Sequence, residues 1–292
     1  MKILLIYNPV SGKSVNREAR LGKTLMQLGE KHEEITVYQM KSKGDGARFM
    51  ADKGIDKYEL IVGCGGDGTL HEIVDGAMKL GFKGDIGYIP SGSTNDYATN
   101  LGINSNNAVD NIVMHKINKL DLGNFNGEYF NYVAAFGFFT DIPYVTPQNI
   151  KNSLGYLAYV LEGIKEIADM KPIRLRCETD SAIIEDDILV GIITNTLSVA
   201  GKHLNEDMAK LDDGMLEYIF VRYPRNILDI QNTVLALMNG KFENKYMYYG
   251  QSTKFHIESE KIQWTLDGED GGFSEVADIT THKKALSIIV GE

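Results

Sequence analysis

Lys2–Tyr7 is a short, near-continuous apolar run, the pattern of a strand buried on both faces. A polar turn follows, and apolar residues at Ala19, Leu21, Leu25 and Leu28 then predict a helix. Ile35–Met40 and Tyr58–Val62 predict the second and third strands, and Ile86–Ile89 a fourth that ends at Pro90. Between the last two, Leu70, Ile73, Val74, Ala77 and Met78 fall at i, i+3, i+4, i+7 and i+8, which predicts a helix after Thr69. This rhythm implies a mostly parallel sheet with helices on both faces.

The rhythm changes near residue 122. Asn126-Gly127 is a hairpin turn between two β-rich runs, Lys119–Phe125 and Tyr129–Phe136. A helix is expected over 153–168. Strand-like runs follow at Ile173–Thr179, Ile188–Thr194, Met215–Val221, Lys254–Ile257, Ile262–Leu266 and Ala285–Val290. The expected fold is therefore α/β plus all-β. An open parallel α/β domain spans 1–122, and an antiparallel β-sandwich or barrel spans 123–292, with a cleft between them.

The 292 residues hold a sizeable core, and no apolar run approaches the ~20 residues of a membrane span. Two cysteines, Cys64 and Cys177, exclude a disulfide scaffold or a thiolate metal cluster. A cytoplasmic protein is expected. Forty acidic residues against thirty basic give a net charge of −10, with no basic stripe. That argues against nucleic acid and against polybasic adhesion to anionic membranes, but leaves room for a small anionic ligand.

Gly63-Cys64-Gly65-Gly66-Asp67-Gly68-Thr69 joins the third strand to the best helix. Glycine N–H groups backed by a helix N-terminus suit a phosphate, although a tight turn without ligand is the plain alternative. Gly63, Gly65 and Gly68 also spell the dinucleotide fingerprint, but after the wrong strand and without the acidic residue that should follow. Gly12-Lys13-Ser14 lacks the upstream glycine of a Walker loop. The turn Asn8–Lys13 follows strand one and Pro90–Asp96 follows strand four, so three polar loops converge on one sheet edge.

Taken together, Asn8-Pro9 with Ser11-Gly12, Gly65–Thr69 with Glu72, Pro90 with Gly92, Asn95 and Asp96, and Leu266-Asp267-Gly268-Glu269 resemble the diacylglycerol kinase catalytic-domain family, which includes sphingosine kinases and soluble bacterial lipid kinases. The resemblance implies that ATP binds the first half and that a lipid alcohol, diacylglycerol first, enters the cleft. ATP contacts would come from Asn8, Ser11, Gly12, Lys13, Gly65, Gly66, Asp67, Gly68, Thr69, Glu72, Gly92, Ser93 and Asn95. By the same resemblance Asp67, Asp96 and Asp121 would organise catalytic Mg²⁺, and Glu269 would be the general base. Asp213, with the carbonyls of Lys210 and Met215, would hold a structural Mg²⁺.

Departures from the family pattern are Ser93 for Thr, His71 for a common Asn, and Met40 where a hydroxyl is expected. The chain also stops soon after its last strand, so an element returning to the first half is expected to be absent or shortened. Taken singly, Glu269 reads as a solvated residue of an acidic turn, Asp121 as an edge-strand carboxylate and His71 as a packing or capping residue. The aromatics of 129–139 read as core before lipid cradle. Other readings of the whole are an NAD kinase or other small-molecule kinase, a non-catalytic nucleotide-binding protein and, last, a Rossmann oxidoreductase. Membrane contact would be transient, peripheral and apolar, and a homodimer is left open.

Overall fold

The computed structural model describes residues 1–12, 17–93, 95–137, 171–196, 198, 199, 202, 203, 210–239, 241, 242 and 244–291. Lys13 and the helix expected over 153–168 lie outside the described residues. The first half runs β1 (Lys2–Tyr7), α1 (Arg17–Gly29), β2 (Glu34–Gln39), α2 (Asp45–Lys53), β3 (Leu60–Gly65), α3 (Asp67–Lys79), β4 (Asp85–Pro90), α4 (Asp96–Asn100), α5 (Ala108–Met114). Its strands form a parallel sheet in the order β2–β1–β3–β4, with Ile3 opposite both Ile35 and Leu60. β3 is buried along its whole length and β1 everywhere but Lys2, which explains their unbroken apolar runs.

β3 extends to Gly65, further than the apolar run predicts, because two of its glycines serve packing. A Cβ on Gly63 would lie 2.8 Å from Ile73 Cδ1, and one on Gly65 would lie 2.3 Å from Thr69 Oγ1. Both glycines let α3 approach the strand. The turn reduces to Gly66, and α3 starts at Asp67, two residues before Thr69.

The second half runs β5 (Ile117–Phe125), β6 (Glu128–Phe130), β7 (Val133–Gly137), β8 (Ile173–Glu178), β9 (Ile183–Thr194), β10 (Ser198–Val199), β11 (Lys202–His203), β12 (Leu216–Arg222), α6 (Ile227–Met238), β13 (Met247–Ser252), β14 (Lys254–Leu266), β15 (Glu269–Ile289). The run expected as one strand over Tyr129–Phe136 is two. β6 pairs with β5 and β7 with β9 and β14, since the N–H groups of Asn131, Tyr132 and Val133 turn to the Asp267 carboxylate. Lys254–Ile257 and Ile262–Leu266 are one strand, β14, with a register shift against β15 between Glu258 and Ile262. The pairings β7–β9, β9–β8, β8–β14 and β14–β7 close a circuit. Trp264, with ring centroids 4.9 Å from Phe125 and 4.7 Å from Phe136, sits in this half's core, as does Phe130. For those rings the core reading holds.

Of the two alternatives for an element returning to the first half, its absence is corrected. β15 runs for 21 residues, and Ile288 pairs in parallel with Ile86 of β4, while Leu286–Ile289 lie antiparallel to β5. One strand thus begins at Glu269 and ends on the parallel sheet, so thirteen strands form a hydrogen-bonded sheet. Among the described residues no helix is long and apolar enough to cross a membrane.

Candidate active site

The loops after β1, β3 and β4 meet by backbone contact. Asn8 Nδ2 donates to Thr69 Oγ1 at 2.9 Å, and Asn8 Oδ1 accepts Val10 N at 3.1 Å. Gly12 has φ +72°, and a Cβ there would lie 2.0 Å from the Ser91 carbonyl, so only glycine fits. A Cβ on Gly66 would stand 3.3 Å from Gly92 Cα and 3.4 Å from Ser11 Oγ. Asn95, in the left-handed region at φ 53°, accepts Gly92 N at 2.8 Å and donates back to Gly92 O at 3.0 Å. Ser93 is exposed beside them. The side chains of Asn8 and Thr69 tie the first two loops together, Ser91 N donating to Gly65 O joins the third, and Asn95 closes that third loop on itself, while the first turn of α3 offers the N–H groups a helix leaves without internal acceptors.

Glu72 lies one turn into α3 and caps α2. Its carboxylate accepts Gly44 N and Gly46 N at 2.8 Å and Ala47 N at 3.2 Å. Met40 is buried in the first half's core, where a hydroxyl would have no place.

Asp67 and Asp96 are brought together. Asp67 accepts Asp96 N at 3.0 Å and Tyr97 N at 3.4 Å, and so caps α4. Burial lifts its carboxyl to about 6, with repulsion from Asp96 adding to it against those two backbone donors. Asp96 is raised too, by partial desolvation. Two neighbouring carboxylates that resist ionising suit a hard divalent cation sharing phosphate oxygens, so this donor set fits Mg²⁺.

Glu269 reaches the glycine loop from the far end of the chain. A Cβ on Gly68 would fall 2.0 Å from Glu269 Oε1, so the carboxylate rests directly on the Gly68 backbone. Its other oxygen lies 2.5 Å from Lys43 Nζ, in the segment before α2. Nothing in the local pattern of Lys41–Gly44 pointed to Lys43.

Two residues before Glu269, Asp267 is buried with φ 52° and accepts His71 Nδ1 at 2.8 Å, Asn131 N at 2.7 Å, Asn131 Nδ2 at 3.0 Å, Tyr132 N at 2.9 Å and Val133 N at 3.1 Å. His71 Nε2 meets Glu128 Oε1 at 3.1 Å. Burial alone would lower the His71 pKa, but hydrogen bonds to Asp267 and Glu128 outweigh it and hold the ring at about 10. Asp267 had entered the sequence reading only within the Leu266–Glu269 run, and its partnership with His71 had no local signal.

Asp121 is close enough to Tyr97, the neighbour of Asp96, to oppose ionisation of its hydroxyl. Fully buried, it accepts Gly214 N at 2.5 Å and Lys284 N at 2.6 Å, filling the bulge where β15 loses register with β5 between His282 and Leu286. Burial raises its pKa. Its carboxylate and backbone N–H secure the segment that carries Lys210, Asp213 and Met215. There Asp213 Oδ1 accepts Met215 N at 2.9 Å, which leaves Oδ2 for a cation, while Lys283 Nζ donates to the Asp213 carbonyl at 2.9 Å and Lys284 Nζ meets Asp212 at 3.1 Å. One carboxylate oxygen and carbonyls can hold a largely hydrated Mg²⁺, with the two ammonium groups weakening it. Among the described residues no three His, Cys, Asp or Glu side chains gather into a metal cluster.

The profile of the diacylglycerol kinase catalytic domain matches residues 2–125. The chain is 30% identical over 272 residues to a diacylglycerol kinase of Bacillus subtilis, covering 92% of this chain and 89% of that one. It is 32% identical over 273 residues to a diacylglycerol kinase of Staphylococcus epidermidis, covering 92% and 85%. A diacylglycerol kinase crystal structure from Bacillus anthracis superposes with a TM-score of 0.76 over 99% of this chain and 97% of that one, at 21% identity. A second crystal structure from that organism reaches 0.81 at 24% identity with the same coverage. These two likenesses bear on fold alone. With relatives of that identity aligned along nearly the whole chain, the protein belongs to the diacylglycerol kinase family of ATP-dependent lipid kinases.

Proposed function

We propose that this kinase transfers the γ-phosphate of ATP to the free hydroxyl of diacylglycerol, yielding phosphatidic acid. The observation that carries the reading is the Glu269 carboxylate resting on Gly68, because it sets a proton acceptor against the phosphate-binding turn. Residues 1–122 act as the ATP-binding domain and 123–292 as the acceptor-side domain. The N–H groups around Gly66–Gly68, with Ser11, Gly12 and Ser93 alongside, receive the phosphates. Lys13 is proposed as a phosphate contact from its place in the loop after β1.

Phosphoryl transfer asks for alignment and charge neutralisation more than for covalent chemistry by the protein. Asp67 and Asp96 would hold Mg²⁺, which when bound offsets charge on the phosphate oxygens. Glu269 accepts the proton of the acceptor hydroxyl as that oxygen attacks phosphorus and ADP departs. Lys43 draws phosphate charge towards the same place. Asp121, at the end of the first domain, anchors the 210–215 segment, where Asp213 with the carbonyls of Lys210 and Met215 would hold a structural Mg²⁺. Contact with the bilayer is transient and apolar, made to collect substrate.

The test is one panel: labelled ATP and Mg²⁺ with micellar diacylglycerol, ceramide, a sphingoid base and soluble NAD. Label is expected in phosphatidic acid. Label in phosphorylated NAD with none in lipid would overturn the reading.

A further inference from the structure

Besides the proposed base, the molecule holds a second charged cluster that none of the chemistry above uses. His71, buried on α3, places Nδ1 2.8 Å from Asp267 and Nε2 3.1 Å from Glu128. An ionised carboxylate only accepts, so a ring bonded at both nitrogens to carboxylates must donate from both, and is a cation. Asp267 in turn gathers the N–H groups of residues 131–133 and stands at a left-handed φ of 52°, followed by Gly268 at 81°. Non-glycine residues seldom hold that conformation unless their surroundings over-determine it. Asp-Gly is a pair that a two-residue hairpin turn favours, and the Asp267 side chain fixes where this turn sits, with Glu269 on Gly68.

We infer that His71 is a positioning residue for Glu269: its Nδ1–H, through Asp267, couples the α3 helix of the glycine loop to the hairpin that carries the base. Among the described residues His71 is the sole cationic side chain bonded to Asp267. It also sits four residues beyond Asp67 on α3, so one rigid element carries the phosphate-binding turn, an acidic metal ligand and the anchor of the base. The Glu128 contact ties α3 to the β5–β6 hairpin.

The inference rests on Glu269 being the base, and two amide variants test it. An Asn at 71 can present its Nδ2 near the ring's Nδ1 and keep the bond to Asp267. A Gln presents its Nε2 near the ring's Nε2 and keeps only Glu128. His71→Asn is expected within about threefold of wild-type kcat. His71→Gln is expected to lose about 10- to 100-fold in kcat while KM for ATP moves less than about threefold, as for a group acting on the chemical step. In a Glu269→Gln background, followed by single turnover, His71→Gln should cost nothing further. Equal loss in the Asn and Gln variants, no loss in either, or a full additive loss in the Glu269→Gln background would overturn this inference alone. A Glu269→Gln enzyme keeping more than about a tenth of wild-type turnover would overturn the base assignment, and this inference with it.

Discussion

Glu269 and Gly68 are 201 positions apart in sequence, yet the carboxylate of one occupies the volume where a side chain of the other would begin, 2.0 Å from the ideal Cβ position. The glycine is needed at this point for the approach of another side chain and not for its own backbone angles, since it lies within α3.

Gly68→Ala should therefore separate stability from activity. In the first turn of a helix alanine is favoured over glycine by up to about 1 kcal/mol. The melting temperature should hold or rise slightly, while displacement of Glu269 lowers kcat about 10- to 100-fold. Thermal denaturation and steady-state kinetics on one preparation check it. A variant with wild-type kcat would show that the carboxylate moves away at no cost.

Lys43 bonds Glu269 through an exposed ammonium, so the pair adds little to stability. Its consequence lies with the nucleotide. Lys43→Met should raise KM for ATP about 3- to 10-fold, and Lys43→Arg should restore most of it. Nucleotide titration of the two variants decides, and an unchanged ATP affinity in the Met variant would remove Lys43 from the site.

Asp121 feeds two backbone donors from distant segments with one buried carboxylate. Asp121→Asn turns an N–H₂ towards one of those donors and should cost about 1–3 kcal/mol. The expected result is a lower melting temperature with ATP affinity retained. Loss of nucleotide binding at unchanged stability would move Asp121 to the nucleotide side.

Asp213 gives a direct test of the proposed second Mg²⁺ site. Adding Mg²⁺ to the nucleotide-free protein should raise the melting temperature of the wild type and leave that of Asp213→Ala unchanged, because binding to the folded state alone stabilises it. An equal shift in both proteins would place the ion elsewhere.

Glu217 on β12 is fully buried, with Oε1 held by Gln251 at 2.9 Å and Oε2 without a partner. Burial lifts it to about 7, and Asp213 and Asp121 add repulsion against the Gln251 bond. A carboxyl raised above its unfolded value contributes stability below about 4.5 and loses it as pH rises through about 7. Glu217→Gln should thus gain on the wild type by about 2–3 kcal/mol between pH 5 and pH 9. Parallel melting curves across that range check it, and a pH-independent difference would contradict it.

The parallel sheet was legible in the chain because β1 and β3 are covered on both faces, and such strands must be apolar throughout. α3 was legible from its period, and the three loops from their glycines and Asn95. α2, α4, α5 and α6 were not, since short or partly exposed helices take their stability from packing and end caps supplied by other segments. The Glu72 carboxylate that caps α2 and the Asp67 carboxylate that caps α4 both come from α3.

Within the candidate site, residue types and their order along the chain were enough to nominate Asp67, Asp96 and Glu269 as candidates. The partnerships were not. Lys43 with Glu269, His71 with Asp267 and Asp121 with Gly214 are each separated by more than ninety residues, and no local period or spacing encodes such a pair. They form only when β15 runs from the glycine loop to the edge of the parallel sheet, and the pairing of Ile288 with Ile86 fixes that path. Sequence alone therefore determined which groups are candidates for the proposed phosphoryl transfer. Tertiary structure decided which of them meet, because burial and backbone hydrogen bonding assign each carboxylate to a partner that lies far away along the chain.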